Sequence, residues 1–185
     1  MEHLLDVRDL SITYLNKSRN VQAVRHVNFT IDKGDSLGLV GESGSGKSTL
    51  AMGMLRILPQ ESIQMTGSAL FMGKDLVTIS DEEMNKLRWK EIAVVFQKAM
   101  NSLSPVHRIG TQIEDIYHVH EPKATKKEIH DRTMELLKLV NMPERVYKLY
   151  PHEMSGGMLQ RVAIVISLLH NPKLLVFDEA TTALD

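Results

Sequence analysis

The run GESGSGKST at residues 41–49 constrains this 185-residue chain more than any other stretch. It satisfies the spacing G-x-x-x-x-G-K-[ST] with Gly41, Gly46, Lys47 and Ser48. Glycines let the backbone curl so that successive N–H groups point inward. An anion nest at the start of a helix results. Gly41, Ser43, Gly44, Ser45, Gly46, Lys47, Ser48 and Thr49 form the candidate cradle. Lys47 can reach the β- and γ-phosphates of a nucleotide, and the Ser48 hydroxyl is placed to ligate Mg2+. An apolar run, SLGLV at 36–40, precedes the loop, and a helical pattern follows it to residue 58. A plain glycine turn with a surface lysine would not need that setting.

The rest of the chain must supply a fold for such a loop. SLGLV reads as a short strand covered on both faces. Residues 4–15 and 23–31 alternate apolar and polar residues, as strands do, and residues 67–76 read as a hairpin turning at Gly73. Ser80 with Glu83, and Thr125 with Glu128, have the spacing of capping boxes that open helices. Ile129, Leu136, Leu137 and Val140 share one helical face. Residues 91–97 suggest another strand, 155–170 a helix closed by Asn171-Pro172, and 173–177 a buried strand. Between about 98 and 154 no strong strand pattern remains. The implied architecture is a βα core interrupted by a mostly helical insert.

Composition removes several alternatives. The chain is 43% hydrophobic and 24% charged, enough apolar material for a core. A net charge of −1 gives no electrostatic reason to expect nucleic acid or acidic lipid. Without cysteine there are no disulfides and no thiolate metal sites. No apolar run approaches the roughly 18–20 residues that cross a bilayer, so a membrane role is expected only through a partner. His118, His120 and Glu121 have metal-like spacing but read better as exposed side chains.

Two acids end the final apolar run, Asp178 and Glu179. Parallel α/β sheets place their ligands at the C-terminal ends of strands. There Asp178 would hold Mg2+, through water, and Glu179 would polarise the water that attacks a γ-phosphate. A second glycine turn, Ser155-Gly156-Gly157, opens a helix and offers another set of amides to an anion.

Taken together with Gln97, these motifs resemble the ATPases of ABC transporters, over the whole chain and in that family's order. Residues 41–49 match its Walker A loop, Gln97 its Q-loop, Met154–Met158 its signature, Leu174–Asp178 its Walker B strand, and Ala183-Leu184-Asp185 its D-loop. The resemblance implies an α/β P-loop NTPase fold, with a RecA-like core (1–97 and 161–185), an antiparallel β-subdomain, and a helical subdomain (98–160) carrying the signature loop. It implies that ATP and Mg2+ bind, that Tyr14 stacks on adenine, that Gln97 joins the metal ligands, and that Glu179 is the catalytic base. Ser155, Gly156 and Gly157 would close on nucleotide held by a second ATPase subunit, alike or different. Transmembrane permease subunits would then hold the pair against the cytoplasmic face of the cell membrane. Residues 96–113 and 149–164 are similar to the peptide and nickel importer branch. A soluble ABC ATPase of translation or repair, and a non-catalytic nucleotide-binding fragment, are the competing readings.

The sequence departs from the family at Met154, Met158 and Ala180, where Leu, Gln and Pro are commoner. It also stops after the D-loop, so the strand and switch histidine that would follow are not in it. The expectation is the front portion of a longer ATPase, with two buried strands facing an unpaired gap, poor nucleotide binding and little turnover.

Overall fold

The computed structural model describes residues 3–96 and 103–178. They fall into two compact units, Met1–Asn85 and Lys86–Asp185.

The first unit is built on an antiparallel sheet. Strands β1 (Leu5–Tyr14), β2 (Val21–Ile31), β3 (Ile63–Phe71) and β4 (Lys74–Asp75) lie in the order β2-β1-β3-β4. β1 is the pinned element. Leu5 pairs with Ile31 and Phe71, and Tyr14 with Val21 and Ile63, so both its ends are paired on both sides, with gaps in the registers around Asp9. Leu5, Val7, Leu10 and Ile12 are buried. The period-two pattern breaks once, where three neighbouring strands bulge together. Asp9, His26 and Gly67 all have positive φ (50°, 47° and 87°), and the β1 register slips on both sides at that level. Side chains hold the bulge. Asn28 Oδ1 accepts from the Asp9 amide at 2.8 Å, Ser11 Oγ accepts from the His26 amide at 2.9 Å, and the His26 ring meets Asp9 Oδ1 at 2.7 Å. A Cβ at residue 67 would stand 2.3 Å from the Asp9 carbonyl oxygen, so only glycine fits.

The β3–β4 hairpin turns through Met72 and Gly73, both with positive φ, as the sequence predicted. Helix α1 (Lys47–Met54) follows the glycine loop, and α2 (Asp81–Leu87) opens on the expected box. There the Glu83 amide donates to Ser80 Oγ at 3.2 Å and the Ser80 amide to Glu83 at 3.4 Å. Arg56 joins α2 to its preceding loop by pairing with Asp81 and donating to the Ile79 carbonyl.

Residues 36–40 differ from expectation: they form no strand. Leu37, Leu39 and Val40 are 47%, 45% and 97% exposed. A strand is defined by a partner's hydrogen bonds, and no described residue offers this run a ladder, so its apolar character alone does not make it one.

The second unit is mostly helical. Helices α3 (Ile109–His120), α4 (Lys126–Leu139) and α5 (Gly156–Leu168) pack with two 3-10 turns (Glu144–Lys148 and Pro151–Glu153) around a core that includes Ile113, Ile129, Leu137, Val146, Val162 and Val165. Thr125 starts α4 with a complete capping box. Its amide donates to Glu128 at 2.7 Å and its hydroxyl receives the Glu128 amide at 3.3 Å. The Thr125 amide first, and then the Thr125 hydroxyl, which donates to the same carboxylate at 2.7 Å, hold the Glu128 carboxyl below its ordinary pKa. Arg132 of α4 caps the end of α5 through the Leu168 and Leu169 carbonyls, at 3.0 and 3.3 Å.

Strands β5 (Ile92–Val95) and β6 (Leu174–Phe177) form a parallel pair in register Ile92 with Leu174 through Val95 with Phe177. β6 is less covered than its sequence predicts. Leu174 is buried, Leu175 and Val176 are half-buried, and Phe177 is 53% exposed, because β6 has a sheet neighbour on one side only among the described residues.

His170, just beyond α5, lies 4.6 Å from the Tyr117 ring and edge-on to His120 at 5.2 Å, with its Nε2 enclosed and unpartnered. Burial lowers its pKa from 6.5, His120 and Lys90 add to this, and Glu121 and a bond to the Ile116 backbone oppose it. A folded pKa below the unfolded one means the unfolded chain binds more protons in acid. The His170 contribution is therefore intact above pH 6.5 and is lost as pH falls below it. Urea midpoints should drop between pH 7 and 5, and His170→Phe should flatten that slope.

Candidate nucleotide site

The glycine loop is closed by its own backbone. The Ser45 amide donates to the Glu42 carbonyl at 3.2 Å, and the Leu50 amide to the Gly46 carbonyl at 2.8 Å, starting α1. Gly44 and Gly46 sit at φ 79° and 93°, a region where a side chain is strained. A Cβ at residue 46 would also meet the Ala23 carbonyl oxygen at 2.5 Å, and one at Gly41 would meet Ser45 Oγ at 2.9 Å. The loop's shape thus requires Gly44 and Gly46. Lys47 is folded into the curl: Nζ donates to the Gly41 and Glu42 carbonyls at 2.7 Å each and reaches Ser45 Oγ at 3.3 Å. Residues 41–45 and Ser48 face solvent. α1 has no side-chain cap and no acid in its first turn, so that turn places no carboxylate of its own at the positive end of the helix. A fixed ammonium beside the amides of a helix start in an open loop suits a polyphosphate.

Tyr14 belongs to the same unit. Its hydroxyl lies 3.1 Å from Thr49 Oγ1, tying the end of β1 to the helix that carries the loop.

The second unit carries the other candidates. Ser155 is the N-cap of α5, and its Oγ accepts from the Met158 amide at 3.3 Å. A hydroxyl that accepts one bond can still donate, and Ser155 is exposed. Its approach is fixed by the Tyr150 amide donating to Glu153 at 2.7 Å and by Arg108 over the Tyr150 ring at 5.4 Å. Asp178 closes β6, where its amide donates to the Val95 carbonyl at 3.0 Å and continues the parallel ladder. Gln97, Glu179 and the stretch Ala183-Leu184-Asp185 lie outside the described residues. The structure therefore joins Gly41, Ser45, Gly46, Lys47, Thr49 and Tyr14 within one unit, and places Ser155, Gly156, Gly157 and Asp178 in the other.

Sequence reading missed Gln160. It is 2% exposed on the core face of α5 and donates from Nε2 to the Phe96 carbonyl at 3.4 Å, next to Gln97. The available signal was one amide among Leu159, Val162, Val165 and Ile166. His118 is bound to the Ala124 carbonyl at 3.0 Å, and no group of three His, Cys, Asp or Glu able to hold a metal occurs among the described residues. Nor is any helix among them long and apolar enough to cross a membrane.

Comparison with known proteins gives this arrangement its family. The ABC transporter family profile matches residues 24–182, and the chain belongs to that family. Within it, the chain is 48% identical over 185 residues to the oligopeptide transport ATP-binding protein OppD of Bacillus subtilis, covering 98% of this chain and 51% of that protein. It is 43% identical over 184 residues to OppD of Escherichia coli, covering 98% and 54%. The chain thus spans about half the length of these curated relatives. Among solved structures, the ATP-binding cassette MJ0796, a dimer in a post-hydrolysis state bound to ADP and Pi, superposes with a TM-score of 0.85 at 29% identity, over 98% of this chain and 76% of that one. The cbiO1 protein of Clostridium perfringens, part of the ABC transporter complex cbiONQ, gives 0.77 at 30% identity, over 100% and 68%. The fold is that of an ABC ATPase cassette.

Gly46→Ala should destabilise the chain by about 1–2 kcal/mol from the left-handed backbone alone, and more from the clash with Ala23. Urea denaturation should show the loss, and titration with inorganic tripolyphosphate should show weakened binding.

Proposed function

We propose that this chain is the ATP-binding and hydrolysing part of a subunit that energises an ABC importer for peptides. The observation that carries the reading is the glycine loop, which holds Lys47 inside a curl that no side chain at Gly46 could share. The peptide cargo is supported by relatives named for oligopeptide transport. Nickel, carried by the same branch, is the alternative cargo.

In this reading the loop amides and Lys47 neutralise the β- and γ-phosphates of ATP while the Tyr14 ring stacks on adenine. The residues assigned to Mg2+, Ser48, Gln97 and Asp178, offer a hydroxyl, a carboxamide and a carboxylate, hard oxygen donors that suit this ion. When bound, the metal neutralises charge on the phosphates. Glu179 accepts a proton from the attacking water as its oxygen bonds to the γ-phosphorus. The bond to the bridging oxygen breaks, and ADP leaves with that electron pair. Ser155, Gly156 and Gly157 act on nucleotide held by the second subunit, supplying donors and excluding solvent. The dimeric MJ0796 cassette supports such pairing, and cbiO1, as part of a transporter complex, supports a permease partner. The subunit works at the cytoplasmic face of the membrane, reaches it through that partner, and takes no nucleic acid. Its core comprises 1–97 and 161–185, and its helical part 98–160.

In the assembled transporter, Glu179→Gln should leave ATP binding near normal and cut turnover by about 10²–10⁴-fold, the contribution of a general base. Nucleotide titration beside a phosphate-release assay measures both. Near-normal turnover would remove Glu179 from the role, and the absence of peptide uptake by vesicles carrying the wild-type assembly would remove the peptide cargo.

A further inference from the structure

α1 is eight residues long, uncapped by any side chain, and follows a run with no sheet partner among the described residues. Such a helix has little stability of its own, so its position is set by tertiary contacts. Three are visible. Gly46 meets β2 at the Ala23 carbonyl, Gly53 meets β1 at Ile12, and the Tyr14 hydroxyl meets Thr49 Oγ1 at 3.1 Å. The third is a directional side-chain bond, and it reaches the first turn of the helix, beside Lys47 and Ser48. Tyr14 itself is held on both sides, by Val21 and Ile63.

We propose that Tyr14 is a positioning residue for the polyphosphate cradle: its hydroxyl, through Thr49, fixes the first turn of α1 and with it the Lys47 ammonium and the loop amides. This rests on the nucleotide reading above and adds a role that needs no base. Ring stacking would serve only a ligand with a base, whereas the hydroxyl tether serves any polyphosphate.

Tyr14→Phe keeps the ring and removes the tether, which separates the two roles. The full chain is titrated with ATP and with inorganic tripolyphosphate, each with Mg2+. Tyr14→Phe should weaken both to the same extent, about three- to tenfold for one lost hydrogen bond. Thr49→Val should do the same, Thr49→Ser should restore wild-type binding, and the double variant Tyr14→Phe/Thr49→Val should be no weaker than either single one. Amide hydrogen exchange of residues 46–50 without any ligand should quicken several-fold in Tyr14→Phe. Loss of affinity for ATP alone, additive single effects, or unchanged exchange would overturn the proposal. Should the wild-type chain bind neither probe, the nucleotide reading fails, and the exchange measurement still decides the tether.

Discussion

Helix α1 is seated on the antiparallel sheet through glycines at its start and near its end. Gly46 touches β2 and Gly53 touches β1 at distances that a methyl group would close to 2.5 Å. Leu50, Ala51, Met52 and Met54 bury the rest of its face. A short helix in a plain loop would fray. Here it inherits the rigidity of β1, the strand paired along both edges. The glycine loop, Lys47 and Ser48 follow from where that helix starts, so the candidate anion site is located by the sheet the helix rests on.

Features that depend on near neighbours were legible in the sequence. The Thr125–Glu128 and Ser80–Glu83 boxes, the turn at Gly73 and the apolar face of α4 each involve residues a few positions apart, and the structure contains them. The curl of the glycine loop was legible for the same reason. Features that depend on distant partners were not. Residues 36–40 read as a buried strand because they are apolar, yet a strand needs a ladder, and the ladder is not encoded in the run itself. Phe177 reads as buried on the same ground. The joint bulge at Asp9, His26 and Gly67 needs three strands at once. In the site, the Tyr14 partner is 35 residues away and the Gln160 partner 64, beyond any local pattern.

The second unit treats its serine turn differently. Ser155 stands at the exposed end of a helix whose opposite face is buried in the helical core, and Arg132 secures the far end of that helix through two carbonyls. A donor mounted on so fixed a base loses little freedom when a ligand arrives, which favours binding without any extra contact. Gln160, one turn further along, ties the same helix to the residue preceding Gln97.

The meeting of Gly53 with Ile12 also bears on how such chains diverge. A Cβ at 53 would sit 2.5 Å from Ile12 Cδ1, the flexible tip of a completely buried side chain. The two positions share one small volume. A descendant that gains alanine at 53 can keep the helix seated by shrinking residue 12 to valine, while either change alone leaves a clash or a hole. Drift at this spot is therefore channelled into paired exchanges, and the space between strand and helix is inherited as a single unit.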